Sequence, residues 1–195
     1  MVIQLSYGPN VPHDGELRLC GDVAGKRAIE LGVAPEVNCV ALASAGAKAI
    51  AVDPDPARIA EARARAEAAE VRVECHTGEL ADLGFATSAS IDLVIAAGTL
   101  HLIDDLSRVL RQVHRVLRPE APFVVTLPHP FTAGLEGATV TTRYGTFPNR
   151  SVSDLFTAFS RANFRVDVVQ ELFAANAPDA LVPELLLLRA RKLGV

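Results

Sequence analysis

One carboxylate, Asp53, and one glycine, Gly32, stand where a nucleoside could be held. Glu30 and Gly32 close one short apolar run, and Asp53 closes the next, 21 positions after Gly32. A strand, a tight turn opened by glycine, a helix and a carboxylate at the tip of the following strand form a nucleoside cradle in open α/β sheets. The turn lets the ligand approach the backbone, and the carboxylate accepts two ribose hydroxyls. The same spacing also fits a plain strand–helix–strand unit in which Asp53 only opens the next helix. His101 and His129 are predicted just past the fourth and fifth strands, neighbours in the sheet. There an imidazole could serve as a general base or orient an acceptor; the alternative is a loop role. His114 lies beside an arginine row and reads as structural. Arg143 and Tyr144 fall in a long loop and could touch a substrate, though nothing in their spacing demands it. Cys20, Cys39 and Cys75 are far apart and form neither a CxxC pair nor a cluster of metal-ligand spacing, so no metal centre is expected.

The elements that must position these residues follow from hydrophobic period. From Lys26 onward, short β-branched runs alternate with longer helical patterns, which predicts a parallel sheet with crossover helices. Strands are predicted at 27–31, 47–52, 71–75, 91–97, 122–127, 164–171 and 182–189. Helices are predicted from Val37, over 56–69, over 105–117, and from the capping box Ser151/Asp154 to a left-handed stop at Asn163. In the helix over 105–117, Leu106, Val109, Leu110, Val113 and Leu117 make the buried face. Arg108, Arg111, Arg115 and Arg118 run down the other, read as a solvated face. The last two strands are joined by too short a connection for a parallel crossover, so they pair as an antiparallel hairpin. Residues 131–150 read as a long loop or small insertion on the substrate side, and residues 1–25 as a lead-in to a single domain over 1–195.

Composition narrows the partners. The chain has 195 residues, half of them hydrophobic, enough to bury a core without disulfide or metal staples. A net charge of −4, no Trp and only two Tyr argue against a surface built for phosphate backbones, base stacking or anionic lipid, and favour a small, roughly neutral ligand. Unpaired cysteines fit a reducing cytoplasm, and neither a secretion signal nor a membrane span is predicted.

Several segments, taken in order, resemble the class I S-adenosylmethionine-dependent methyltransferases. They are Gly25-Lys26-Arg27-Ala28-Ile29-Glu30-Leu31-Gly32, Val52-Asp53-Pro54, Gly78-Glu79-Leu80, Ile91-Asp92-Leu93-Val94 with Leu100-His101, and Val113 through Pro119. The likeness covers nearly the whole chain from about Leu17. It implies a Rossmann-like, doubly wound, mostly parallel seven-stranded sheet with an antiparallel C-terminal hairpin, and S-adenosylmethionine as cofactor. It further implies that Glu30 and the turn at Gly32 and Ala34 hold the methionine part. Asp53 and Pro54 would lie at the ribose, Glu79 and Leu80 at the adenine edge, and Ala97 to His101 beside the transferred methyl. The chain departs from the family pattern at Ala34 and Glu36, where the turn usually has glycine, at Glu120-Ala121 and at Asn163. Glu36 would put a carboxylate near the cofactor's own. The implied activity is methyl transfer to an unidentified small acceptor. The alternatives are a non-catalytic binding protein of the same fold and a nicotinamide-dependent oxidoreductase.

Overall fold

The computed structural model of the protein describes residues 4–136, 139–177 and 179–194. In chain order the elements are α1 (Asp14–Leu17), β1 (Arg27–Leu31), α2 (Asn38–Ser44), β2 (Lys48–Asp53), α3 (Pro56–Ala68), β3 (Val73–Thr77), β4 (Leu93–Ala97), α4 (Leu106–Val116), β5 (Pro122–Pro128), β6 (Leu135–Glu136), β7 (Thr139–Val140), α5 (Val152–Arg161), β8 (Phe164–Leu172) and β9 (Leu185–Lys192). Seven strands form one sheet in the order β3-β2-β1-β4-β5-β9-β8. The first five run parallel, and β9 pairs antiparallel with both β5 and β8. This is the predicted doubly wound sheet with its terminal hairpin. Observed strands start up to three residues later than predicted; β3, for example, begins at Val73.

One apolar cluster, with α4 and α5, covers one face of the sheet; a second, with α2, α3 and the N-terminal residues, covers the other. Strands β1, β4 and β5 are buried on both sides, which is why they read as continuous apolar runs. Between β3 and β4 there is no helix among the described residues. The connection is a loop whose carbonyls at Leu83 and Ala86 accept from Arg115 at 2.8 and 2.9 Å. Arg118 pairs with Asp92 at 2.7 Å. The arginine row is therefore not only a solvated face: two of its four members anchor neighbouring segments. The stretch predicted as a long loop or small insertion carries a short 3-10 turn, Thr132–Gly134, and the two-residue strands β6 and β7. Among the described residues, no helix is long and apolar enough to cross a membrane.

Candidate functional site

The turn after β1 is built around Gly32. Its φ is +79°, and a Cβ there would lie 2.4 Å from the Cβ of Thr99. Glycine is thus required for both conformation and contact. Thr99, at the tip of β4, donates its hydroxyl to the Leu31 carbonyl at 2.6 Å and so ties the two strand ends together. Glu30 is fully buried. Its carboxylate accepts from the amides of Ala34 at 3.1 Å, Asn38 at 3.0 Å and Cys39 at 2.7 Å. Burial pushes its pKa up against the pull of these amides. Oε1 takes two of these bonds and Oε2 the third, so the side chain stitches the turn to the first turn of α2. Ala34 needs no glycine, because its φ is not positive; the left-handed residue is Val37, at φ 54°. Glu36 is exposed, two residues before α2 begins.

At the tip of β2, Asp53 is 8% exposed. One oxygen accepts from the Val33 amide at 2.7 Å and the other from Asp55 at 2.8 Å. A carboxylate has about four lone-pair sites, so each oxygen keeps one free. Pro54 lies exposed beside it, and the Gly78 amide donates to the Asp53 carbonyl at 3.1 Å. That bond brings the exposed Glu79 and buried Leu80 to the same edge. The sequence-predicted nucleoside residues therefore share one end of β1, β2 and β3, where the strand order reverses at β1.

The β4 tip continues from Ala97 through Gly98, whose amide donates to the Thr126 hydroxyl at 3.1 Å. His101 Nδ1 lies 3.0 Å from the Gly98 carbonyl. A carbonyl only accepts, so Nδ1 carries the proton, and in the neutral ring Nε2 is a bare acceptor. His129 differs. It is 6% exposed, its Nδ1 accepts from the Phe131 amide at 3.3 Å, and its Nε2 lies 3.0 Å from Glu171. Both ring nitrogens are occupied, so His129 clamps the β5 loop to the hairpin. Tyr144 accepts from the Val152 amide at 3.0 Å and braces α5. His114 sits 3.0 Å from the Leu193 carbonyl, a structural place as expected.

Sequence reasoning missed the N-terminal residues. Residues 5–8 form a strap across one end of the site. Asn38 and Ser6 exchange two hydrogen bonds of 2.8 Å, and Thr126 donates to the Tyr7 carbonyl at 2.8 Å. Leu5 and Tyr7 pack in one cluster with Val33, Ala34 and Val37, leaving those turn residues at most 3% exposed. Behind the strap, Asp14 accepts from Tyr7 Oη at 2.6 Å and from the amides of Leu19 and Cys20. Leu5 and Tyr7 alternate with polar Ser6, but Pro9 and Pro12 cut the alternation too short to predict an element. All three cysteines are free, and no group of three or more metal-ligand side chains occurs among the described residues.

A family model described as "Methyltransferase domain" matches residues 29–125, from Ile29 in β1 into β5. A comparison with curated proteins found no match. Among solved structures, the fold is similar to an S-adenosylmethionine-dependent methyltransferase from Mesorhizobium loti (TM-score 0.77, 23% identity, covering 90% of this chain and 95% of that one). It is also similar to geranyl diphosphate C-methyltransferase from Streptomyces coelicolor (TM-score 0.72, 12% identity, 91% and 78% coverage). A third similar structure is the [4+2]-cyclase SpnF (TM-score 0.69, 16% identity, 88% and 76% coverage). At these identities the likeness is one of fold.

Proposed function

The chain belongs to the class I S-adenosylmethionine-dependent methyltransferase family, and from that premise we propose that it moves the cofactor's methyl group to a small-molecule acceptor beyond the tips of β4 and β5. The observation that carries this reading is the Asp53 carboxylate. It is tied to the turn after β1 through Val33 at 2.7 Å and keeps a free lone pair on each oxygen. The residues present fit the nucleoside end of the cofactor: Asp53 for the ribose hydroxyls, Pro54, Glu79 and Leu80 around the adenine, and the turn from Gly32 to Ala34 for the methionine. At the methionine end, the strap over residues 33–37 has to shift for the fit. The non-methylating reading rests on that same covering, as well as on the cyclase among the similar folds. The family assignment sets aside the nicotinamide alternative.

When bound, S-adenosylmethionine supplies an electrophilic methyl, so the protein's task is mainly to align the acceptor. His101 supports this through Nε2, which can accept a proton from a hydroxyl or amine while Nδ1 stays bonded to Gly98. His129, with both nitrogens engaged, keeps the neighbouring loop in place. The net charge of −4 supports a small acceptor rather than nucleic acid or membrane, and the free thiols support a cytoplasmic setting.

The test is titration calorimetry with S-adenosylhomocysteine on wild type and Asp53→Asn. Hydrogen bonds to a charged acceptor contribute about 1.5–3 kcal/mol each, so at least tenfold weaker binding is expected. Equal affinity in a correctly folded variant removes Asp53 from the site. Absence of binding to wild type makes the non-methylating reading the better one.

A further inference from the structure

The hydroxyl of Thr99, at the tip of β4, has its proton committed. Oγ1 lies 2.6 Å from the Leu31 carbonyl, which can only accept, so the hydrogen points there. Among the described residues no donor reaches Oγ1 in return, and its lone pairs stay open. The side chain is half-buried and held from two sides. The bond to Leu31 fixes the oxygen, and the rest of the side chain lies against Gly32. A Cβ on that glycine would come within 2.4 Å of Thr99 Cβ, 2.6 Å of Cγ2 and 2.7 Å of Oγ1. Thr99 therefore presents a fixed acceptor, with no proton left to offer, beside the first residue of the turn. That place is the end of β1, where the strand order reverses. An oxygen in this state attracts a positively polarised atom and has nothing to give to an anion or a carbonyl.

S-adenosylmethionine has a positive centre where its two halves meet. The sulfonium joins the nucleoside to the methionine part, and its charge polarises the C–H groups bonded to sulfur into donors for an oxygen. In the methyltransferase reading above, Asp53 takes the ribose and the turn from Gly32 to Ala34 takes the methionine. The joint between the halves then belongs at Gly32, against which Thr99 is packed. S-adenosylhomocysteine has the same two halves around a neutral thioether and lacks the charge. Resting on that reading, we propose that Thr99 is a cofactor-binding residue whose Oγ1 faces the sulfonium and favours the methyl donor over the spent product. The bond to Leu31 is what makes it selective: with its proton held there, the hydroxyl acts as an acceptor alone.

The test is the ratio of two affinities, measured by titration calorimetry with S-adenosylmethionine and S-adenosylhomocysteine on wild type, Thr99→Val and Thr99→Ser. Valine keeps the shape of threonine and drops the oxygen, whereas serine keeps the oxygen. Thr99→Val is expected to weaken S-adenosylmethionine roughly three- to tenfold, the range of one weak bond strengthened by charge, and to leave S-adenosylhomocysteine unchanged. Thr99→Ser is expected to keep the wild-type ratio. Valine also leaves the Leu31 carbonyl without its donor, so Thr99→Ala, which makes no demand for space beside Gly32, supplies the same comparison if Thr99→Val fails to fold. Equal losses for the two ligands overturn the proposal, since they place Thr99 against a part that both share or against the fold alone. A ratio that ignores the loss of the oxygen overturns it too, and leaves the methyltransferase reading standing. If wild type binds neither ligand, that reading falls and this inference with it.

Discussion

Glu36 shows how a single charge can matter without straining the backbone. It is exposed, and its φ lies on the ordinary side of the map, so glycine would relieve no conformational cost there. What remains is repulsion between its carboxylate and that of a bound cofactor, roughly 1–4 kcal/mol at close range in partly wet surroundings. Glu36→Gln is therefore expected to tighten S-adenosylhomocysteine binding severalfold at low salt, and Glu36→Gly to add nothing beyond it. The gain should fade in 1 M salt, where charges are screened within about 3 Å. Calorimetry at two ionic strengths checks this, and a gain confined to the glycine variant would point to backbone rather than charge. Glu30 makes a complementary prediction. Its folded pKa is raised above the ordinary 4.5 by burial. An acid with a raised folded pKa binds more protons folded than unfolded, so its contribution is full below pH 4.5 and shrinks as pH rises through the folded value. Glu30→Gln loses an acceptor opposite three buried amides, at about 1–3 kcal/mol. The stability gap between wild type and this variant should narrow as pH rises from 4.5, read from melting temperatures along a pH series.

At the scale of elements, much was legible because local chemistry decided it. Asp55 caps α3, Ser151 and Asp154 close the capping box of α5, and the apolar face of α4 fell where its period required. Asn163 was read as a left-handed stop and has φ 64°, with its side-chain amide 3.2 Å from the Leu193 carbonyl. Asn163→Ala should cost about 1–2 kcal/mol, and Asn163→Gly appreciably less, since only the first meets the left-handed penalty. Equal losses in urea unfolding would mean that the hydrogen bond outweighs the conformation. What local chemistry could not show were residues whose partners lie far away. Arg115 looked like a surface charge until the β3–β4 loop closed over it. The inward role of Glu30 was hidden in the same way, because the amides that donate to it are arranged only when α2 starts at Asn38.

For the whole molecule, the strap covers the turn at residues 33–37. Its hydrogen bonds reach α2 through Asn38 and β5 through Thr126, and the hairpin through Ala175, whose amide donates to the Asn10 carbonyl at 2.7 Å. If the turn becomes accessible only when residues 5–8 lift, removing both Asn38 side-chain bonds should speed cofactor association. Asn38→Ala leaves the Asn38 amide on Glu30, so the turn itself keeps its support. Stopped-flow mixing with S-adenosylhomocysteine is expected to show a severalfold faster on-rate for this variant. An unchanged rate would take the strap off the route. The sequence does not show this, since the alternation of Leu5 and Tyr7 is too short to predict an element and the strap's register is fixed by contacts from distant parts of the chain.

The bond between Tyr7 and Thr126 joins positions 119 residues apart. A ribosome adding about 5–20 residues per second makes Tyr7 some 6–24 seconds before its partner exists. By then Asp14, Val33, Ala34, Val37 and Asn38, which hold the rest of the strap, have already been made. Only its tie to the fifth strand is outstanding. Among the earliest residues synthesised, Tyr7 is locked to the sheet only when Thr126 has been made.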